Sequence, residues 1–168
     1  MPLKIAAKVD RADKEYFEHH VKPLFDNELV EFIGEISDLE KNEFLGNAAA
    51  FLFPINWSEP FGIVLIESLA CGLPVVAYPL GSVPEIIEDE VSGFLVNNVH
   101  EASQALANIS KIDRKECRRA FERRFTSKRM ADDYLSIYQR IAKAETESIA
   151  LTDGDLQWMK LGPPSSTT

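Results

Sequence analysis

Cysteine is scarce in this chain: Cys71 and Cys117 are the two among 168 residues. Each sits in a helix-patterned stretch, so a disulfide framework is not expected and a reducing compartment fits. No apolar run approaches the roughly 20 residues that a membrane-spanning helix needs. The opening Met1-Pro2-Leu3-Lys4 lacks the apolar core of a secretory signal, which makes the cytoplasm the expected location. Basic residues are few over the first 110 positions, 6 Lys/Arg against 18 Asp/Glu, and the whole chain carries a net charge of −9 with a pI near 4.9. Such an acidic body has no broad positive surface on which to release nucleic-acid counterions, so nucleic acid is not an expected partner. The three histidines, His19, His20 and His100, lack metal-ligand spacing and read as surface residues.

A usage of 45% hydrophobic and 27% charged residues is that of a globular chain, and the length suits one domain with a proper core. Leu3–Val9 reads as a strand, followed by a helix capped by Asp10 or Asp13 that runs to about Phe25. Tyr16, Phe17, Val21, Leu24 and Phe25 would line one side of that helix. Leu29–Ile33 is a second strand ending at Gly34. Ser37 with Glu40 three residues later is a capping box, and it opens a helix that would turn Leu39, Phe44 and Leu45 to a sheet.

Two nearly continuous apolar runs, residues 48–55 and 74–78, fit strands covered on both faces, which is the habit of parallel sheets. Between them lies a helix from Gly62 to Cys71, stopped by Gly72. A short helix capped by Ser82 and a strand at 92–96 follow. The alternation predicts a doubly wound α/β domain with a parallel sheet. After residue 100 the pattern is helical only, in stretches 100–109, 114–125 and 127–144. We divide the chain into a domain at 1–144 and a flexible tail at 145–168, in which Leu156, Trp158, Met159 and Leu161 are available to a partner surface. Residues 111–129 hold 9 Lys/Arg against 3 Asp/Glu; the solvated face of a helix outweighs a phosphate-binding patch as their reading.

In an open parallel sheet, ligands bind at the carboxyl ends of the strands. Three loops lie there: residues 34–37, 56–62 and 79–82. The middle loop places Glu59 just before a helix whose first residues include Gly62, so free backbone N–H groups would face the crevice and suit a phosphate. Glu67 follows Glu59 by eight positions, about one and a half turns into that helix. Acids beside a phosphate site serve better as acceptors for sugar hydroxyls. Spacing alone weights that reading equally with Glu59 as a helix cap and Glu67 as a satisfied polar residue beside the core.

A longer string adds to this reading: Phe32-Ile33-Gly34, Phe53-Pro54, Glu59-Pro60-Phe61-Gly62, Glu67, Ala70-Cys71-Gly72-x-Pro74-Val75-Val76-Ala77, then 81–87 and 92–96. In that order it closely resembles the group 1 glycosyltransferases, over roughly residues 3–141. The resemblance implies a Rossmann-like doubly wound parallel sheet followed by C-terminal helices, the donor-binding half of a GT-B fold. It also implies transfer of a hexosyl group from a nucleotide sugar with retention, without a metal or other cofactor. Carried over by motif, Glu59 is the catalytic carboxylate at the donor sugar and Glu67 the acceptor for ribose hydroxyls. The residues from Pro60 through Phe61 and Gly62 to Ile63 would meet the sugar and diphosphate, and Gly34, Glu35 and Ile36 would hold the base. Pro60 departs from the family's commoner glycine.

Absent from the string are the family's Gly-Arg…Lys-Gly segment, whose cations neutralise the diphosphate, and its N-terminal acceptor-binding domain. Losing the cations would cost several kcal/mol of barrier, so the chain alone is expected to be inactive. Lys8, at the end of the first strand, is the nearest substitute, although a solvated strand-end lysine is the weightier reading. The implied partners are a nucleotide-sugar donor and either a separate acceptor-binding domain or a second copy packed through residues 127–144. A non-catalytic nucleotide-sugar binding module is the alternative function. Asp153-Gly154-Asp155 reads as a turn in the tail, not a metal site.

Overall fold

The computed structural model describes the backbone of residues 1–25 and 27–161, and side chains to residue 144. The chain divides into two units, Met1–Arg118 and Arg119–Thr168. In the first unit, β1 (Leu3–Ala6) pairs in parallel with β2 (Val30–Gly34). Further on, β3 (Phe51–Phe53), β4 (Val75–Ala77) and β5 (Gly93–Leu95) form a second parallel ladder with β4 in the centre. All pairings are parallel, as the alternating pattern implied, but among the described residues no ladder bond joins β2 to β3. Pro54 follows directly on β3 and cannot donate to a ladder, which keeps that strand to three residues.

Between β1 and β2 the helix is irregular. One turn, α1 (Lys14–Tyr16), opens into a wider turn at Phe17–Val21 and tightens to a 3₁₀ turn at Lys22–Phe25. Pro23 has no N–H to give to the carbonyl four residues back, so a regular helix cannot be continued through it. Phe17, Phe25 and Phe32 meet, with ring centroids 4.9–6.1 Å apart, and fasten this segment to β2. Tyr16 and Leu24, expected on the same side, are exposed instead. The widened turn shifts them off the apolar face.

Next, α2 (Asp38–Gly46) begins at the expected box: the Glu40 carboxylate accepts from both the N–H (2.9 Å) and the Oγ (2.6 Å) of Ser37. These two bonds hold the Glu40 carboxyl below its ordinary pKa, the side-chain bond most. Of the three apolar residues assigned to its inner face, Leu45 is buried whereas Leu39 is 91% exposed. Leu39 lies in the first turn, at the end of the helix nearest the strand tips.

Helices α3 (Ile63–Ala70), α4 (Val83–Ile86) and α5 (Val99–Ala107) follow β3, β4 and β5 in turn. Val75, Val76 and Ala77 of β4 are all buried. Val76 packs with Val96, Ala105 and Ile109 on the α5 side, with Leu52 and Phe94 against them. Leu65 and Leu69, fully buried, belong to α3, which also touches β4. A central strand covered on both faces is what its uninterrupted apolar run requires.

The basic stretch has a specific use at its start. From α6 (Arg114–Arg124), Arg114 donates to the carbonyls of Gly46 (3.0 Å) and Ala48 (2.6 Å), and Arg118 donates to that of Ala70 (2.5 Å). Gly46 and Ala70 are the last residues of α2 and α3, where orphan acceptors and the negative dipole end favour a cation, and Ala48 lies two residues past α2. Two of the arginines read as a solvated face are therefore helix caps.

In the second unit, α7 runs Ser127–Leu161, past the expected end at 144, and Lys128–Asp132 and Arg129–Asp133 pair along it. The boundary at 144 falls inside this helix. Trp158, Met159 and the Asp153–Asp155 pair lie outside the residues whose side chains are described. No helix of the described residues is long and apolar enough to cross a membrane.

Both cysteines are free thiols. Cys117 is buried and donates to the Ser92 carbonyl at 3.6 Å, and burial pushes its pKa from 9.0 up to about 11. Above pH 9 the unfolded thiol ionises while the folded one stays protonated, so its contribution to stability falls as pH rises from about 9 toward 11. Urea midpoints across that window should fall less for Cys117→Ala than for the unsubstituted chain. In the folded protein, a thiol reagent should modify the half-buried Cys71 and spare Cys117 until denaturant is added.

Candidate functional site

The loops after β2, β3 and β4 carry the expected site residues. After β3, the chain runs through Pro54 to Glu59, and there it meets the loop that leaves β4. Glu59 bridges to Gly81, and the Ser82 N–H donates to the Glu59 carbonyl at 2.8 Å. Gly81 sits at φ +62°, and a Cβ there would lie against the Glu59 carbonyl oxygen and 2.5 Å from its nitrogen. Only glycine allows that approach. Ser82 Oγ, beside this junction, is buried without a hydrogen-bond partner among the described residues.

Glu59 turns its carboxylate onto the start of α3. Its Oε1 accepts from the Gly62 N–H at 2.8 Å and from the Phe61 N–H at 3.2 Å. Gly62 takes a left-handed conformation, φ +76° and ψ +47°, and its carbonyl starts the α3 ladder by accepting from Leu65. The cap reading of Glu59 is thus realised in this structure, and two amides expected to be free are engaged. The next two N–H groups, of Ile63 and Val64, have no acceptor among the described residues. Around them Trp57, Phe61 and Ile63 hold large exposed apolar side chains, with Phe61 and Ile63 62% and 63% exposed, and Pro60 is exposed too.

Glu67 lies one turn further along α3, half-buried, and its Oε1 accepts from Lys41 Nζ at 2.8 Å. Lys41 also pairs with Asp38 at 3.0 Å. Glu67 foremost, then Asp38, holds the Lys41 ammonium above the ordinary lysine pKa range. Lys41 was not foreseen. The signal available was its place four residues after Ser37, one turn into the helix that follows the 34–36 loop.

In that loop Gly34 ends β2, its carbonyl accepting from Ala7; Glu35 is exposed and Ile36 half-buried. Lys8, proposed as a stand-in cation, pairs with Asp10 at 3.5 Å, and both side chains are well exposed. The structure therefore makes two clusters, Glu59 with Phe61 and Gly62, and Glu67 with Lys41, while Lys8 joins neither. His19, His20 and His100 are exposed, and no group of three or more His, Cys, Asp or Glu among the described residues is placed to hold a metal ion.

A sequence model of the family described as "Glycosyl transferases group 1" matches residues 5–127. A phosphatidyl-myo-inositol mannosyltransferase of Propionibacterium freudenreichii is 39% identical over 81 residues, which is 46% of this chain and 21% of that protein. Among solved structures, the sucrose-phosphate synthase of Thermosynechococcus elongatus is similar at a TM-score of 0.71 and 24% identity, covering 84% of this chain and 39% of the other. The Anabaena protein HepE, solved in complex with UDP and glucose, aligns at a TM-score of 0.64 and 20% identity, over 87% of this chain and 40% of its own. The two solved structures share the fold of this chain, which spans well under half the length of each of the three proteins.

The contact between Gly81 and Glu59 gives a direct expectation. Gly81→Ala adds a strained φ and an overlap with backbone, and should destabilise the chain by roughly 3 kcal/mol. Gly46→Ala, where an added Cβ meets nothing within 4 Å, is the control and should be neutral or slightly stabilising. Urea denaturation of the two variants checks the contrast.

Proposed function

The chain belongs to the group 1 glycosyl transferases, and from that premise we propose that residues 1–144 form the donor side of a retaining enzyme that takes a hexosyl group from a nucleotide sugar. The observation that carries the reading is the arrangement on α3. At its N-terminus sit a carboxylate and two amides, of Ile63 and Val64, without an acceptor among the described residues, and one turn on lies a second carboxylate, Glu67. Helix N-termini at strand ends attract phosphate through oriented N–H dipoles. The diphosphate would meet the Ile63 and Val64 amides.

In this reading Glu59 keeps Oε1 on the Phe61 and Gly62 amides, which fixes the carboxylate, and offers Oε2 to a donor-sugar hydroxyl. Glu67 accepts from the ribose, and the 34–36 loop borders the base. The exposed rings of Trp57 and Phe61 supply apolar surface for the sugar face. Lys8 remains available to the diphosphate only by giving up its exposed pair with Asp10, which is worth little. No metal enters the scheme. The acceptor surface is expected in the rest of the two-domain architecture, and a separate domain or a second copy through 127–144 would bring it. On α7 of that stretch Tyr134, Ile137, Tyr138 and Ile141 are exposed.

Calorimetry with UDP, GDP and ADP tests the proposal. The chain should bind at least one of them weakly, and absence of heat or chemical-shift change at millimolar concentration with all three refutes it. Glu67→Ala should weaken nucleotide binding by tenfold or more, about the loss of one or two charge-assisted hydrogen bonds. Glu59→Ala should weaken it less, and equal losses contradict the division of roles.

Transfer itself needs acceptor and donor held together, an advantage of roughly 7–11 kcal/mol that the donor side alone does not supply. Nucleotide release from a panel of nucleotide sugars should therefore stay at the rate without protein. Release above it that Glu59→Ala abolishes would show these 168 residues competent by themselves.

A further inference from the structure

The Lys41–Glu67 pair differs from the surface pairs along single helices, such as Lys22–Glu18 and Lys128–Asp132. It joins α2 to α3 across 26 positions of sequence, and both side chains are about two-thirds buried, 29% and 33% exposed. A lone exposed pair contributes little, because two long side chains must be ordered for a screened attraction. Here the ordering is already provided. Lys41 is steadied from behind by Asp38 at 3.0 Å, and α2 is fixed at one end by the Ser37–Glu40 bonds and at the other by Arg114 on the Gly46 carbonyl and on that of Ala48 just beyond.

An ionised carboxylate accepts at two oxygens. Lys41 takes Oε1 of Glu67, which leaves Oε2 without a donor among the described residues and restricts how the carboxylate can turn. The ammonium also offsets a negative charge that would otherwise stand beside an incoming diphosphate. On its other side Lys41 is one turn from the loop at Gly34, Glu35 and Ile36, so the same helix start carries that loop and the residue that orients Glu67.

We infer that Lys41 is a positioning residue of the nucleoside subsite, holding the Glu67 carboxylate in the orientation that accepts the ribose hydroxyls. The inference rests on the nucleoside reading of Glu67. It assigns Lys41 no contact with substrate; its influence passes through Glu67.

The test is a double-mutant cycle in nucleotide binding, read by calorimetry on the 168-residue chain with whichever of UDP, GDP and ADP the unsubstituted chain binds best. Lys41→Met should weaken binding about tenfold, and Lys41→Arg, which keeps the charge and reach, should stay within about threefold of the unsubstituted chain. On a Glu67→Gln background Lys41→Met should have almost no further effect, because the carboxylate it orients is gone. Lys41→Gln serves in place of Lys41→Met if the latter does not fold, with circular dichroism as the check. Unchanged binding by Lys41→Met overturns the inference, as does a loss that persists in full on Glu67→Gln, the result expected of a cation acting on phosphate directly. Either result, with Glu67→Gln itself still impaired, leaves the nucleoside site standing. If the unsubstituted chain binds none of the three nucleotides, the site and this inference fall together.

Discussion

Val75, Val76 and Ala77 of β4 are buried, and a strand enclosed on both faces obliges the chain to supply a helix layer on each side. Much of the first unit follows from that obligation. Parallel neighbours need crossovers, α3 and α4 provide them, and α5 closes the face that Val76 presents. Once helices occupy both faces, the strand tips are the remaining places where loops can gather. The Glu59 and Gly81 loops come from adjacent strands and so are brought together by the ladder itself. The proposed site lies at the carboxyl edge because the faces are taken.

Charge is arranged by the same economy of surface. The body is acidic, yet its cations have local assignments: Arg114 and Arg118 sit on helix-terminal carbonyls, and Lys41 lies between Asp38 and Glu67. At the proposed diphosphate position the positive contribution would come from peptide N–H groups at the start of α3, since Lys41, the cation of the two clusters, is engaged by Glu67 and Asp38. Amide dipoles stabilise an anion only over about a helical turn. This favours weak, orientation-dependent capture over long-range attraction.

Elements fixed by local chemistry were readable in the sequence. The capping box at Ser37 and Glu40, the apolar run that became β4, and the glycine before α3 each depend on neighbours within a few residues. Errors arose where a remote or unusual feature intervened. Tyr16 and Leu24 left the apolar face because the helix widens and then tightens around Pro23. The roles of Arg114 and Arg118 depend on carbonyls up to 68 positions away, and a run of basic residues carries no sign of them. At the site, the spacing of Glu59 and Glu67 was legible, but their partners were not equally so. Glu59 caps amides two and three residues ahead, which a local reading could propose, whereas Lys41 reaches Glu67 across 26 positions.

The junction of Gly81 with Glu59 also limits how such a site can be altered. The loops after β3 and β4 share a backbone contact too close for any side chain, so neither is an independent module. Lengthening the first loop, or exchanging it for that of another protein, would pull Glu59 away from the surface that holds its peptide in place. A viable exchange would have to carry both loops together, as a matched pair with the glycine retained. Variation between relatives at this edge of the sheet is therefore expected in paired segments, with single-residue changes confined to side chains such as Trp57 and Phe61 that project away from the shared backbone.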